Sequence, residues 1–199
     1  MALSKIQAES MNLADTYAFT GNVSGAGAME LISSDNTGAT SVTSADITLS
    51  QSTDYHHQIL VVNGIYNTGN IDTFWYMIEG GSVVNATNSY GFQYISRKNG
   101  VSTEGGASNG STAMRLNWYA IGNDVSEPCD MYIKIFNSNT SSLRTSMEGT
   151  LNGKSSANDM LSTYFNTQRL ATTVCEGLRM SVSSGDFSYA GHALYGVKL

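Results

Sequence analysis

Side chains suited to chemistry are few in this chain and poorly grouped. The histidines are His56, His57 and His192. Neighbours in a strand face opposite ways, so His56 and His57 are not expected to share a metal ion, and surface or strand-edge imidazoles are expected instead. Asp130, Glu148, Glu176 and Asp186 are the carboxylates a glycan-cleaving pair would draw on, with a separation of about 5 or 6.5–9.5 Å. They are remote from one another in sequence. No His-Glu-x-x-His and no Asp-x-Asp-x-Asn-Gly calcium loop is present. Gly149-Thr150-Leu151-Asn152-Gly153-Lys154-Ser155 approaches a phosphate-binding loop. Such a loop needs four residues between its glycines to wrap a phosphate, and three stand here. A hairpin turn is expected there. Cys129 and Cys175 are the only cysteines, and two buried free thiols are expected, with a disulfide as the alternative that spacing alone does not decide. No catalytic residue, metal or cofactor follows, and the chain is expected not to be an enzyme.

Carbohydrate binding is the chemistry that remains. Aromatic rings stack on the apolar faces of sugars while amides, carboxylates and guanidinium groups bond the hydroxyls. The candidates are Tyr119 with Asn117 and Arg115, or Trp75. Each competes with a place in the core or in a subunit contact, where aromatics are equally at home.

Composition narrows the partners. Charged residues are only 13% of the chain, about half the usual share of roughly 25%. Surface polarity must therefore come from Ser, Thr, Asn and Gly. A net charge of −6 with ten dispersed Lys and Arg argues against nucleic acid as the main partner. No apolar run of about 18 residues exists to insert into a membrane. Met1-Ala2-Leu3-Ser4-Lys5-Ile6 leads into Gln7, Glu9 and Asn12, not into an apolar core, so no secretory signal is expected. That places synthesis in the cytoplasm of the producing cell.

The elements that must position any site are strands. Residues 1–27 form an expected arm, in which Leu3, Ile6, Leu13, Tyr17 and Phe19 lie on a segment too short to bury them alone. Residues 28–199 form the expected domain. Short apolar runs alternate there with turn clusters, the pattern of a sandwich or barrel. Strands are expected over Met29–Ser33, Asp46–Ser50, His56–Asn63, Thr73–Glu79, Tyr90–Arg97, Ala113–Ile121, Asp130–Asn137, Leu143–Thr150, Gly177–Ser183 and His192–Lys198. Turn signals are Asn36-Thr37-Gly38, Asn63-Gly64, Gly80-Gly81, Asn99-Gly100, Asn109-Gly110 and Asn152-Gly153. A short helix is expected at Ala157–Phe165. Met114, Leu116, Trp118 and Ala120 share one strand face, which makes Trp118 core. Phe74-Trp75-Tyr76-Met77-Ile78 has no polar side, so the second sheet is expected to cover one side and a loop, the arm or a neighbouring subunit part of the other. The fold class is all-β, a jelly-roll-like two-sheet β-sandwich with an extended or short-helical N-terminal arm.

Two stretches carry a resemblance. Ile6-Gln7-Ala8-Glu9-Ser10-Met11-Asn12-Leu13-Ala14-Asp15-Thr16-Tyr17-Ala18-Phe19-Thr20-Gly21-Asn22-Val23-Ser24-Gly25 resembles linker and adaptor segments of tail and structural proteins in marine and cyanobacterial bacteriophages. Phe187-Ser188-Tyr189-Ala190-Gly191-His192-Ala193-Leu194-Tyr195-Gly196-Val197-Lys198 resembles the closing strand of β-sandwich domains in the same kind of protein. The resemblance implies a virion protein of the tail-fibre or capsid-decoration kind, with a β-sandwich head, commonly trimeric, docked through its arm on other tail or capsid proteins. Host-surface glycan is the external partner it suggests. Unlike long tail fibres, this chain has no extended shaft repeat, which leaves room for a compact decoration protein.

Overall fold

The computed structural model describes residues 29–67, 73–99, 102–116, 121–122, 124–155 and 157–198. The arm with Leu3, Ile6, Leu13, Tyr17 and Phe19 lies outside them, as do Asn117, Trp118 and Tyr119. The described residues form fifteen strands and no helix. In chain order these are β1 (Met29–Asp35), β2 (Ala39–Val42), β3 (Ser44–Thr48), β4 (His57–Asn67) and β5 (Thr73–Glu79). Then follow β6 (Ser82–Val83), β7 (Tyr90–Lys98), β8 (Ser102–Ser111), β9 (Met114–Arg115) and β10 (Cys129–Phe136). The last are β11 (Ser146–Lys154), β12 (Met160–Arg169), β13 (Gly177–Val182), β14 (Phe187–Tyr189) and β15 (Gly191–Val197).

Two antiparallel sheets pack as a sandwich. The larger runs β1-β15-β4-β10-β11-β12-β7-β8, with β14 also paired to β4 and β2 paired to β14. The smaller runs β3-β13-β5-β6, with β9 also on β5. Alternation decides which side chains enter the core. In β10, Cys129, Met131, Ile133 and Ile135 are buried while Asp130 and Tyr132 are exposed. Trp75 and Met77 of β5 and Leu178 and Met180 of β13 come from the smaller sheet. They join Leu60, Val62, Ile133, Leu151 and Phe165 of the larger sheet in one apolar cluster. Each such side chain contributes roughly 1.5–3 kcal/mol on burial.

Polar groups tie the sheets together at one end. The Tyr90 hydroxyl accepts from Met77 N at 2.8 Å and donates to Val84 O at 2.7 Å. Arg169 of β12 grips Glu79 of β5 through two bonds of 2.7 and 3.3 Å and reaches Ser89 O with a third at 2.9 Å. Both cysteines are free and buried. Burial pushes the Cys129 thiol up to about 11 and the Cys175 thiol up to about 12, so neither is a thiolate at neutral pH.

Three sequence expectations are corrected. The helix at Ala157–Phe165 is replaced by β12, with Leu161, Thr163, Phe165 and Thr167 inward and Ser162, Tyr164 and Asn166 outward. The spacing of Leu161 and Phe165 suits a helix turn and a strand face equally. Threonines between and beyond them, with partners on both sides in β11 and β7, decide for the strand. Second, several turn signals lie inside strands. Asn63 and Gly64 form a bulge in β4, two residues opposing Asp130, whose carboxylate accepts from Gly64 N at 2.8 Å. Gly110 is the extra residue of a bulge in β8. Gly149–Lys154 is part of β11, not a hairpin turn. Gly80-Gly81 does join β5 to β6 as a two-residue turn, with φ of 54° and 71° that side chains resist. Third, His56 and His57 do not face apart: their rings meet.

Candidate functional site

The outer face of β12, β7 and β8 carries an open groove. Cross-strand register builds it. Tyr164 of β12 stands opposite Ile95 of β7, which stands opposite Gly105 of β8. Tyr164 is 53% and Ile95 55% exposed, unusual for large apolar side chains lying side by side. Gly105 adds no side chain at the edge, so the ring and the isoleucine border a space of about 440 Å³ with Gln93, Gly106 and Ala107. That volume lies in the range of small-ligand sites.

Polar groups extend the groove in both directions along the strands. Toward one end, Asn166 pairs with Gln93 and Gln168 with Gly91, and Arg144, Asn109, Phe92 and Leu170 join them around a space of about 300 Å³. Toward the other, Ser162 pairs with Arg97 beside Tyr164 in a lining of about 320 Å³. Ser162 is held by a 2.8 Å bond to Asn152. Two strands across, Tyr132 of β10 continues the Tyr164 row through Thr150 of β11 and is 40% exposed. The result is an apolar strip crossed by side-chain amides, a hydroxyl and two guanidinium groups.

The inner face keeps the strip rigid. Phe165 is fully buried next to Tyr164, and Thr163 shares a buried 2.8 Å hydrogen bond with Ser96 of β7. Tyr94 is buried under the groove and stacks on Phe92, ring centroids 6.1 Å apart. Its phenol lies against Gly106, where a Cβ would meet it. A side chain at that position would push the Tyr94 ring aside.

The sequence-predicted residues fall elsewhere. Trp75 is fully buried in the core, which removes it as a sugar platform and as a subunit contact; Met77 is buried with it. Phe74, Tyr76 and Ile78 occupy the outer face of the same strand, half-buried. Arg115 pairs with Phe74 from β9 on that sheet. Asn117 and Tyr119 lie outside the described residues. Asp130, Glu148 and Glu176 are not brought together. Asp130 and Glu148 sit on adjacent strands four register positions apart, or about 13 Å at the rise of a strand. Glu176 precedes β13 in the other sheet and accepts from Gly81 N at 2.8 Å.

Gly106-Ala107-Ser108-Asn109-Gly110 has the Gly-x-Ser-x-Gly spacing of a nucleophile elbow. It runs along β8 as an edge strand, without the strand-turn-helix that exposes such a serine. Sequence reasoning missed Tyr164 because it fell in the segment assigned to a helix. The alternation of Met160, Ser162, Tyr164 and Asn166 against Leu161, Thr163, Phe165 and Thr167 was the signal that could have found it.

No family model, no curated protein and no solved structure matches the chain.

Proposed function

We propose that this chain is a non-catalytic virion protein of a bacteriophage: a β-sandwich head that contacts a glycan on the host surface, carried by an N-terminal arm docked on the particle. The observation behind the attachment role is the groove centred on Tyr164, Ile95 and Gly105. Sugars offer an apolar C–H face ringed by hydroxyls. An exposed ring flanked by Gln93, Asn166, Gln168 and Arg144 meets both parts, and its openness suits a chain of sugars that extends past the protein. The virion setting is supported by the likeness of residues 6–25 and 187–198 to phage structural proteins. A glycan array probed with the intact chain and with Tyr164→Ala tests the proposal. Selective binding lost in the variant is the expected result, and no binding by the intact chain would overturn the attachment role.

A second proposal has its own observation. Phe74, Tyr76 and Ile78 on the outer face of the smaller sheet, with Arg179 beside Tyr76, form a surface of the kind that protein contacts favour. A homotrimer using this face is the expected assembly. The same face would serve a capsid-decoration protein that binds no receptor. Locating the protein on tail or capsid by labelling of assembled particles separates the two.

A further inference from the structure

We propose that His56 and His57 form a two-nitrogen chelate for a divalent transition-metal ion, copper(II) above all. His57 opens β4 and is paired on both sides, with Val197 of β15 and Phe136 of β10. Its ring lies over that of Phe136, centroids 5.3 Å apart and tilted by 32°. His56 stands just before the strand, tied by its N–H to Val197 O at 2.8 Å. Strand alternation therefore no longer sets its direction, and it turns edge-on to His57 at 82°. The two Nδ1 atoms come to 3.1 Å from one another.

That separation is a metal bite. Two nitrogens 3.1 Å apart, each about 2.0–2.1 Å from one ion, subtend roughly 98°, between the square-planar and tetrahedral angles. Imidazole suits zinc, nickel and copper, and among divalent ions of the first row copper binds such donors most tightly. Without metal, one Nδ1–H donates to the other Nδ1. With metal, that hydrogen moves to Nε2 of its own ring, and both Nδ1 lone pairs reach the ion with no net change of protonation.

The surroundings agree. Lys134 is the cation nearest in register to Phe136, on which the His57 ring lies. The Lys134 charge is itself met by Glu148 at 3.3 Å. Among the described residues no third His, Cys, Asp or Glu joins the pair. Water then fills the remaining positions, and the ion exchanges readily.

Calorimetric titration of the full chain with copper(II) tests this, beside His56→Ala, His57→Ala and the double variant. One copper per chain is expected, with each single variant weaker by about tenfold or more and the double variant little worse than either. Electron paramagnetic resonance should show two coupled nitrogens in the wild type and fewer in the singles. His56→Ala removes an exposed ring and keeps the test open if His57→Ala fails to fold. Wild-type affinity no tighter than that of the double variant, or unchanged by loss of either histidine, overturns the chelate.

Discussion

The two outward faces of the sandwich obey one strand periodicity and leave very different surfaces. On the smaller sheet, Phe74, Tyr76 and Ile78 are half-buried, and Ile78 leans over Gly177. The charge beside them is already satisfied: Arg179 clasps Asp46 through two bonds of 2.6 Å. Little hydrogen-bonding capacity remains there for a small polar ligand. On the wing of the larger sheet, Tyr164 and Ile95 are more than half exposed, and amides recur along the strands on either side. One face suits another protein surface, the other a hydroxyl-rich chain. The inner residues are constrained by a shared core. The outer ones are free to specialise, and in this fold any function has to be sought at those positions.

The largest expected effects come from crossing between inner and outer faces. Phe165→Ala and Trp75→Ala each remove a fully buried ring and should cost about 3–5 kcal/mol in denaturant unfolding. Tyr164→Ala, one residue from Phe165 but facing outward, should stay within about 0.5 kcal/mol while abolishing glycan binding. If Tyr164→Ala melts as early as Phe165→Ala, the two sides of β12 are wrongly assigned and the groove with them.

Next in size is the contrast between the faces themselves. Tyr76→Glu puts a charge into the proposed subunit contact and should weaken assembly by roughly 2 kcal/mol, or about thirty-fold in affinity. Ile95→Glu should leave sedimentation unchanged and disable the groove. An oligomer that survives Tyr76→Glu and falls apart on Ile95→Glu would reverse the assignment of the faces.

Thr73–Glu79 has the same bounds in sequence and structure, because an aromatic and β-branched run ended by Gly-Gly admits little else. The fold class was legible in the same way, from short runs and spaced turn residues. The interior of the larger sheet was less so. Asn-Gly pairs signal hairpins in isolation, yet at Asn63-Gly64 and Asn109-Gly110 the positive φ serves a bulge. Local sequence does not distinguish a chain that reverses from one that only kinks, since the partner strands decide. The groove was hidden for a similar reason. Its parts come from strands some seventy residues apart, joined by the pairing of Tyr164 with Ile95.

A smaller effect probes how the groove rests on the core. Gly106→Ala places a methyl group against the Tyr94 phenol, which is buried and stacked on Phe92. The ring end must shift, at a cost of about 1 kcal/mol, the lower end for overpacking. Glycan affinity should fall together with stability, because β8 moves as the ring does. Unchanged affinity at reduced stability would show that the β8 edge contributes nothing to the groove.

The smallest expected effect is of pH, and it should touch neither face. His57 is held below its ordinary value, chiefly by burial, and so is His192, where Asp35 pulls the other way without prevailing. His192 Nδ1 is buried without a hydrogen-bond partner, so protonation there would add an uncompensated charge. In the unfolded chain both imidazoles take up a proton near pH 6.5. Between that value and their lower folded values, the unfolded state binds more protons, and stability therefore rises with pH. Their contribution is whole above about pH 6.5 and is lost as pH falls below it. Glu30, Asp35, Asp124 and Asp159 have lowered carboxylates, held down mainly by hydrogen bonds, and act only in a more acid range. Melting measured in chelator from pH 8 to pH 5 should show a modest decline, flattened in part by His192→Gln. Glycan binding should hold across pH 6 to 8, because neither histidine lines the groove. A melting temperature that rises on acidification would mean the two rings are charged in the fold, and the burial assigned to them would be wrong.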